Sequence, residues 1–113
     1  MKRGDIVLLP FPWTDLTSFK IRPALVVSDD SHNAASNESV FIFITTKFYN
    51  GNFDFRLKKT DPGFKHTGLK DDSTFRISKI ITLEQKLALR RLGCADDKLL
   101  KKIKSGLKLL LDL

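Results

Sequence analysis

The residues of this chain whose types could do chemistry are cations, hydroxyls and aromatic rings. Between positions 47 and 70, Phe48, Tyr49, Phe53, Phe55 and Phe64 interleave with Lys47, Arg56, Lys58, Lys59, Lys65 and Lys70. Aromatic faces stack unpaired bases and cations follow phosphates, so the pattern suits a single-stranded nucleic acid. A strand with one buried phenylalanine row and one basic row spells the same letters, and that alternative stays open. Phe11, Trp13 and Phe19 lie around two prolines and pose the same choice. Phe11 reads as packing, and Trp13 is open between packing and base stacking.

Other chemistries lack their residues. The chain has two histidines, His32 and His66, and one cysteine, Cys94. It has no H-E-x-x-H, no C-x-x-C and no His/carboxylate cluster, so no zinc site is expected. A glycine-rich phosphate loop and a G-x-S-x-G elbow are both missing, which argues against a nucleotide-dependent enzyme and a serine hydrolase. No cofactor is expected. Cys94 has no histidine near it in sequence and reads as a small packing or surface residue. His32 falls in a polar turn. His66 sits in a basic loop, where it is either solvent-exposed or able to touch RNA or act as an acid.

Charge narrows the partner. Twenty basic and thirteen acidic side chains give a net +7. Residues 1–46 carry a net −1 and residues 47–113 a net +8. A basic half attracts RNA, DNA, anionic lipid or an acidic protein, and an ordinary solvated surface is the plainer reading. No apolar run approaches the ~20 residues of a membrane span. The N-terminus lacks the apolar core of a secretory signal, and one cysteine cannot close an internal disulfide. A cytoplasmic location is therefore expected. At 113 residues, one domain over 1–113 is the expectation.

The elements that must position these side chains read mainly as β. Residues 5–9 form a short apolar strand. Residues 10–20, with Pro10 and Pro12, read as a long loop. Residues 22–28 form a second strand with Pro23 near its start, and residues 29–39 read as polar turn. Residues 40–48 form a third strand, apolar on both faces and so central. Asn50-Gly51 signals a tight type I′ turn, which predicts a hairpin to residues 53–58. Residues 59–72 read as loop and 73–81 as strand. Thr82 and Gln85 fit a capping box, predicting a helix that runs to Gly93. A second helix starts near Asp96 and Asp97, with Leu99, Leu100, Ile103, Leu107, Leu110 and Leu111 on one stripe. The expected architecture is a small, partly open β-barrel with terminal helices as cover.

The order of five segments resembles the PemK/MazF-like toxin family. They are Arg3-Gly4-Asp5-Ile6-Val7 with Pro10-Phe11-Pro12-Trp13-Thr14-Asp15-Leu16, then Ile21 to Ser28 with its Arg22-Pro23 pair, then Ile42-Phe43-Ile44-Thr45-Thr46, then Gly68 to Arg76, and Ile80-Ile81-Thr82-Leu83. Residues 86–113 are similar to the family's terminal helices. The resemblance implies an SH3-like or plasmid-maintenance-toxin barrel with C-terminal α-helices, usually a homodimer. It implies a metal-independent, sequence-selective endoribonuclease that cuts single-stranded RNA, arrests growth and is blocked by a cognate antitoxin protein.

By the same resemblance, Arg22 matches the family's catalytic arginine, Thr45 its catalytic hydroxyl and Arg76 an arginine of the plasmid-borne branch. Attack by the ribose 2′-OH builds charge on the phosphorane oxygens, which planar guanidiniums and a hydroxyl can stabilise. Trp13, Lys20, Thr46, Lys47, Arg56, Lys58, His66, Lys70 and Ser73 are candidate RNA contacts. Two positions depart from the family. Ser78 stands where the plasmid-borne branch has an aspartate, and Ser18-Phe19-Lys20 holds no glutamate before Arg22. Asp15, Asp71 and Asp72 are candidates for the general base if the fold brings one near Arg22. A noncatalytic nucleic-acid- or protein-binding barrel and a gyrase-poisoning toxin are the alternative readings.

Overall fold

The structure, a computed structural model, describes residues 1–11 and 20–113. Trp13, Asp15 and the rest of segment 12–19 lie outside the described residues. Within the described residues, six strands form one antiparallel sheet: β1 (Asp5–Phe11), β2 (Lys20–Val26), β3 (Glu38–Thr45), β4 (Asp54–Leu57), β5 (Ser73–Glu84) and β6 (Arg90–Cys94). Their spatial order is β4-β5-β3-β2-β1-β6. A short helix α1 (Asp30–Ala35) precedes β3, and a long helix α2 (Asp97–Leu111) ends the chain. The fold is mainly β, as expected, with one C-terminal helix.

The apolar pattern explains the sheet. β3 takes the interior position that its two apolar faces require. Ile42 and Ile44 enter one cluster, with Ile6, Leu25, Phe75 and the α2 residues Leu99 and Ile103. Phe41 enters the other, with Val7, Leu9, Phe11, Ala24 and Val26, and Phe43 packs against it. Side chains alternate faces along a strand, so neighbouring residues serve opposite clusters. The α2 stripe covers the first cluster, and its N-cap Asp96 accepts from the Leu99 amide at 2.9 Å. Leu111, assigned to that stripe, is exposed instead.

Four sequence expectations are corrected. No helix spans residues 82–93. Thr82, Leu83 and Glu84 continue β5 opposite Val40, Ser39 and Glu38, and residues 90–94 form β6. The Gln85 side chain does not close a capping box. Its Nε2 lies 2.9–3.2 Å from the carbonyls of Asn33, Ser36 and Glu38 and from Ser39 Oγ, which ties it to the end of α1. Long-range acceptors thus outcompete the local helix signal. The second correction is the hairpin. β3 pairs with β5, and β4 sits outside β5 at the sheet edge. Gly51 does not adopt a positive φ, and its amide donates to Asp54 Oδ2 at 2.9 Å. An aspartate-closed turn replaces the type I′ turn.

The polar stretch 29–39 holds α1, capped by the Asp29 carboxylate, which accepts from Ser31 N at 2.9 Å. Finally, Pro10 and Phe11 belong to β1, opposite Ile21 and Lys20. The Leu8 carbonyl faces β6, accepting from the Leu89 amide. Pro10 faces the same way two residues on, where β6 has already ended, so its missing N–H interrupts no ladder bond.

Candidate functional site: a cationic groove at one end of the sheet

Period-2 alternation builds the site. Lys20 and Arg22 continue the row of Ala24 and Val26 on β2, and Thr45 continues the row of Phe41 and Phe43 on β3. Where these rows run past the second apolar cluster, they become polar. On β5, Arg76 stands opposite Phe43, and a register shift there leaves residues 77–79 without partners in β3. That irregularity brings Arg76 and Lys79 to the same end of the sheet. The result is a cavity of about 480 Å³ lined by Lys20, Arg22, Thr45, Thr46, Lys47, Tyr49, Arg76 and Lys79 over a floor of Phe11 and Phe43. Three strands therefore deliver Arg22, Thr45 and Arg76 to one space.

A second cavity, of about 260 Å³, shares Arg22, Thr45 and Thr46 with the first. It continues past them to Lys70, Asp71, Ser73 and Arg90. Arg22 and Thr45 thus stand at the junction of a longer groove. Among the described residues, five basic side chains and no acidic one line the larger part, and Asp71 is the one carboxylate lining either part.

The side chains differ in what already holds them. Arg22 is half-buried and has no ion pair among the described residues. Asp5, on the neighbouring strand, is held by Arg91 at 3.1 Å, and that carboxylate raises the Arg91 pKa. Thr45 is buried, and its Oγ1 accepts from the Lys47 amide at 3.2 Å. With a lone pair so engaged, the hydroxyl proton is available for an acceptor in the cavity. Arg76 has its Nε 2.6 Å from Asp54 Oδ1 and its Cζ 3.6 Å from the Tyr49 ring centroid. Ser73 Oγ donates to the Asp71 carbonyl at 2.7 Å, holding the turn that presents Asp71.

Other sequence candidates lie elsewhere. Arg56 points its Nη1 at the carbonyls of Thr46 (3.0 Å) and Lys47 (3.3 Å) and at Thr74 Oγ1 (2.8 Å). It braces the loop after β3. Lys58 and His66 are exposed and line neither cavity, and Asp72 receives the Lys59 amide at 2.7 Å. Sequence reasoning missed Asp54, Lys79 and Arg90, and named Tyr49 only as one aromatic of segment 47–70. Arg90 was hidden by the expected helix, and Asp54 by the expected hairpin. No group of three metal-ligating side chains occurs among the described residues, and a cavity rimmed by five cations suits an anion.

A family model described as the PemK-like, MazF-like toxin of type II toxin-antitoxin systems matches residues 2–111. Solved structures share the fold at low identity. An endoribonuclease in complex with its cognate antitoxin from a mycobacterial species superposes with a TM-score of 0.80 at 19% identity, over 100% of this chain and 96% of that one. A MazE–MazF complex from Deinococcus radiodurans gives 0.75 at 20% identity, over 100% and 96%. The Mycobacterium tuberculosis toxin MazF-mt6 gives 0.76 at 14% identity, over 98% of each chain. No curated protein sequence gives a significant match.

Proposed function

Since the chain belongs to the PemK-like, MazF-like toxin family of type II toxin-antitoxin systems, we propose that its groove binds single-stranded RNA and cleaves it. The observation that carries this reading is the convergence of Arg22, Thr45 and Arg76, from three strands, on one cavity with no acidic lining residue among the described residues. The 2′-oxygen attacks phosphorus, the bond to the 5′-oxygen breaks, and the products are a 2′,3′-cyclic phosphate and a 5′-OH. Arg22 offers a planar fork to the non-bridging oxygens, and Arg76 and the Thr45 hydroxyl add further donors. Asp71 is the base candidate, because it borders the part of the groove that Arg22 and Thr45 share. The leaving oxygen takes its proton from solvent. Lys20, Thr46, Lys47 and Lys70 track the flanking phosphates.

Purified protein incubated with mixed-sequence RNA in EDTA is expected to generate new 5′-OH ends. Arg22→Ala is expected to lower the rate by ~10²–10³-fold, the effect of losing one oriented donor. Absence of new ends at stoichiometric protein rejects the reading. Binding without turnover is the second reading, favoured by the lack of any carboxylate or histidine among the described residues of the larger cavity. RNA retained intact, with a steep salt dependence, selects it. The partner that fits the cationic groove is a cognate antitoxin segment carrying carboxylates, and the family resemblance implies a homodimer; sedimentation with and without the antitoxin measures both.

A further inference from the structure

Arg76 enters the groove already held on two sides. The Tyr49 ring covers its guanidinium plane, with Cζ 3.6 Å from the centroid. Asp54 approaches from the neighbouring strand, in register with Arg76, and its Oδ1 lies 2.6 Å from Nε. Both side chains are withdrawn from water, at 16% exposure for Arg76 and 7% for Asp54. Asp54 does not line the groove. It borders a shallow depression on the α2 side, behind Arg76. Its second oxygen receives the Gly51 amide, so the same carboxylate closes the turn that follows Tyr49 two residues on.

Nε and Oδ1 are close but not aligned as a hydrogen bond. The hold on Arg76 is therefore one of charge, in a place where water screens it poorly. The two Nη groups of Arg76 bond no protein acceptor among the described residues, which leaves the outer fork available to an anion. We propose that Asp54 is the positioning residue for Arg76: with Tyr49 it fixes the guanidinium plane so that the outer fork meets the phosphate of the bound strand. The inference rests on the nuclease reading above and deepens it by assigning the carboxylate that orients one of its cations. Asp54 does not touch substrate, so its loss should slow turnover more than it weakens binding.

The test combines steady-state kinetics on a cleavable RNA oligonucleotide with residue-resolved phenylglyoxal labelling of arginines. Asp54→Asn keeps an oxygen acceptor for Gly51, so the turn survives, and turns an uncharged NH2 toward Arg76 in place of the carboxylate oxygen. It is expected to lower kcat on the order of 10²-fold while KM stays within about threefold. Adding Arg76→Ala to Asp54→Asn should lower kcat no further than Arg76→Ala alone, since the two act as a unit. Arg76 should label at least about threefold faster in Asp54→Asn than in the unmodified protein. Wild-type kcat in Asp54→Asn beside a disabled Arg76→Ala overturns the positioning role, as does unchanged labelling. If the unmodified protein cuts no RNA, the nuclease reading is what has failed, and the labelling ratio by itself upholds or rejects the hold of Asp54 on Arg76.

Discussion

Three of the arginines near the groove, Arg22, Arg56 and Arg76, carry the same charge and have different fates, set by their neighbours. Arg56 is consumed by internal acceptors. Arg76 is half-consumed by Asp54 and Tyr49. Arg22 is uncommitted among the described residues, and it alone of the three borders both parts of the groove. Thr45 obeys the same logic. Because its oxygen accepts from Lys47, its proton is directed elsewhere. Thr45→Val keeps the shape and removes the donor, so kcat is expected to fall by ~10–10²-fold. Thr45→Ser should retain most activity, and equal rates for the Val and Ser variants would reject the donor role. Arg22, Pro23 and Thr45 stand out in the sequence as candidates because a short motif carries them; the partners of Arg76, Asp54 and Tyr49, come from other segments and left no local mark.

At the scale of elements, the groove depends on a close approach between Gly68 and β6. Gly68 has a φ of +71°, and a Cβ there would lie 2.0 Å from the Leu92 carbonyl oxygen. Gly68→Ala therefore combines left-handed strain with a backbone clash, and should destabilise by at least ~1–3 kcal/mol in urea titrations. It should also disturb the smaller part of the groove, which Gly68 lines. The other element to watch is α1. Ser31 holds the pKa of its cap, Asp29, below the ordinary value of 3.8, first through its hydroxyl and then through its amide. The folded state thus favours the ionised form. That stabilisation is present above the ordinary carboxylate range and is lost as pH falls through the lowered value. The stability gap between the unmodified protein and Asp29→Asn should be constant near neutrality and close in acid; a gap that widens in acid contradicts the assignment. Neither feature was legible beforehand, since segment 29–39 reads as turn, and the tightness at Gly68 comes from β6, which read as helix.

For the whole molecule the dominant quantity is charge. The net −1 of residues 1–46 hides Lys20 and Arg22, which the fold carries to Lys47, Arg76 and Lys79 from the basic half. A single strand that contacts three to five phosphates should show log K falling against log salt with a slope of roughly −2 to −3.5. Lys20→Glu with Lys47→Glu should flatten that slope by about 1–2 units, whereas Lys98→Glu with Lys104→Glu on α2 should leave it unchanged. Anisotropy with an uncleavable 2′-deoxy oligonucleotide measures it. Equal slopes for the two double variants would place the strand outside the groove.

Apolar periodicity in the sequence sufficed for a mainly β chain with an α2-like terminal helix, because burial of alternating or striped side chains is a local pattern with a strong energetic reward. Short motifs sufficed for the family, and for naming Arg22 and Thr45 as candidates. Strand partners were decided only in three dimensions: β5 displaced β4 beside β3, and residues 90–94 closed on β1 as a strand. Those choices follow from long-range contacts, such as Gln85 on the end of α1, that no local window contains. The same is true of the carboxylate behind Arg76, since Asp54 is 22 residues away in sequence and adjacent only once β4 pairs with β5.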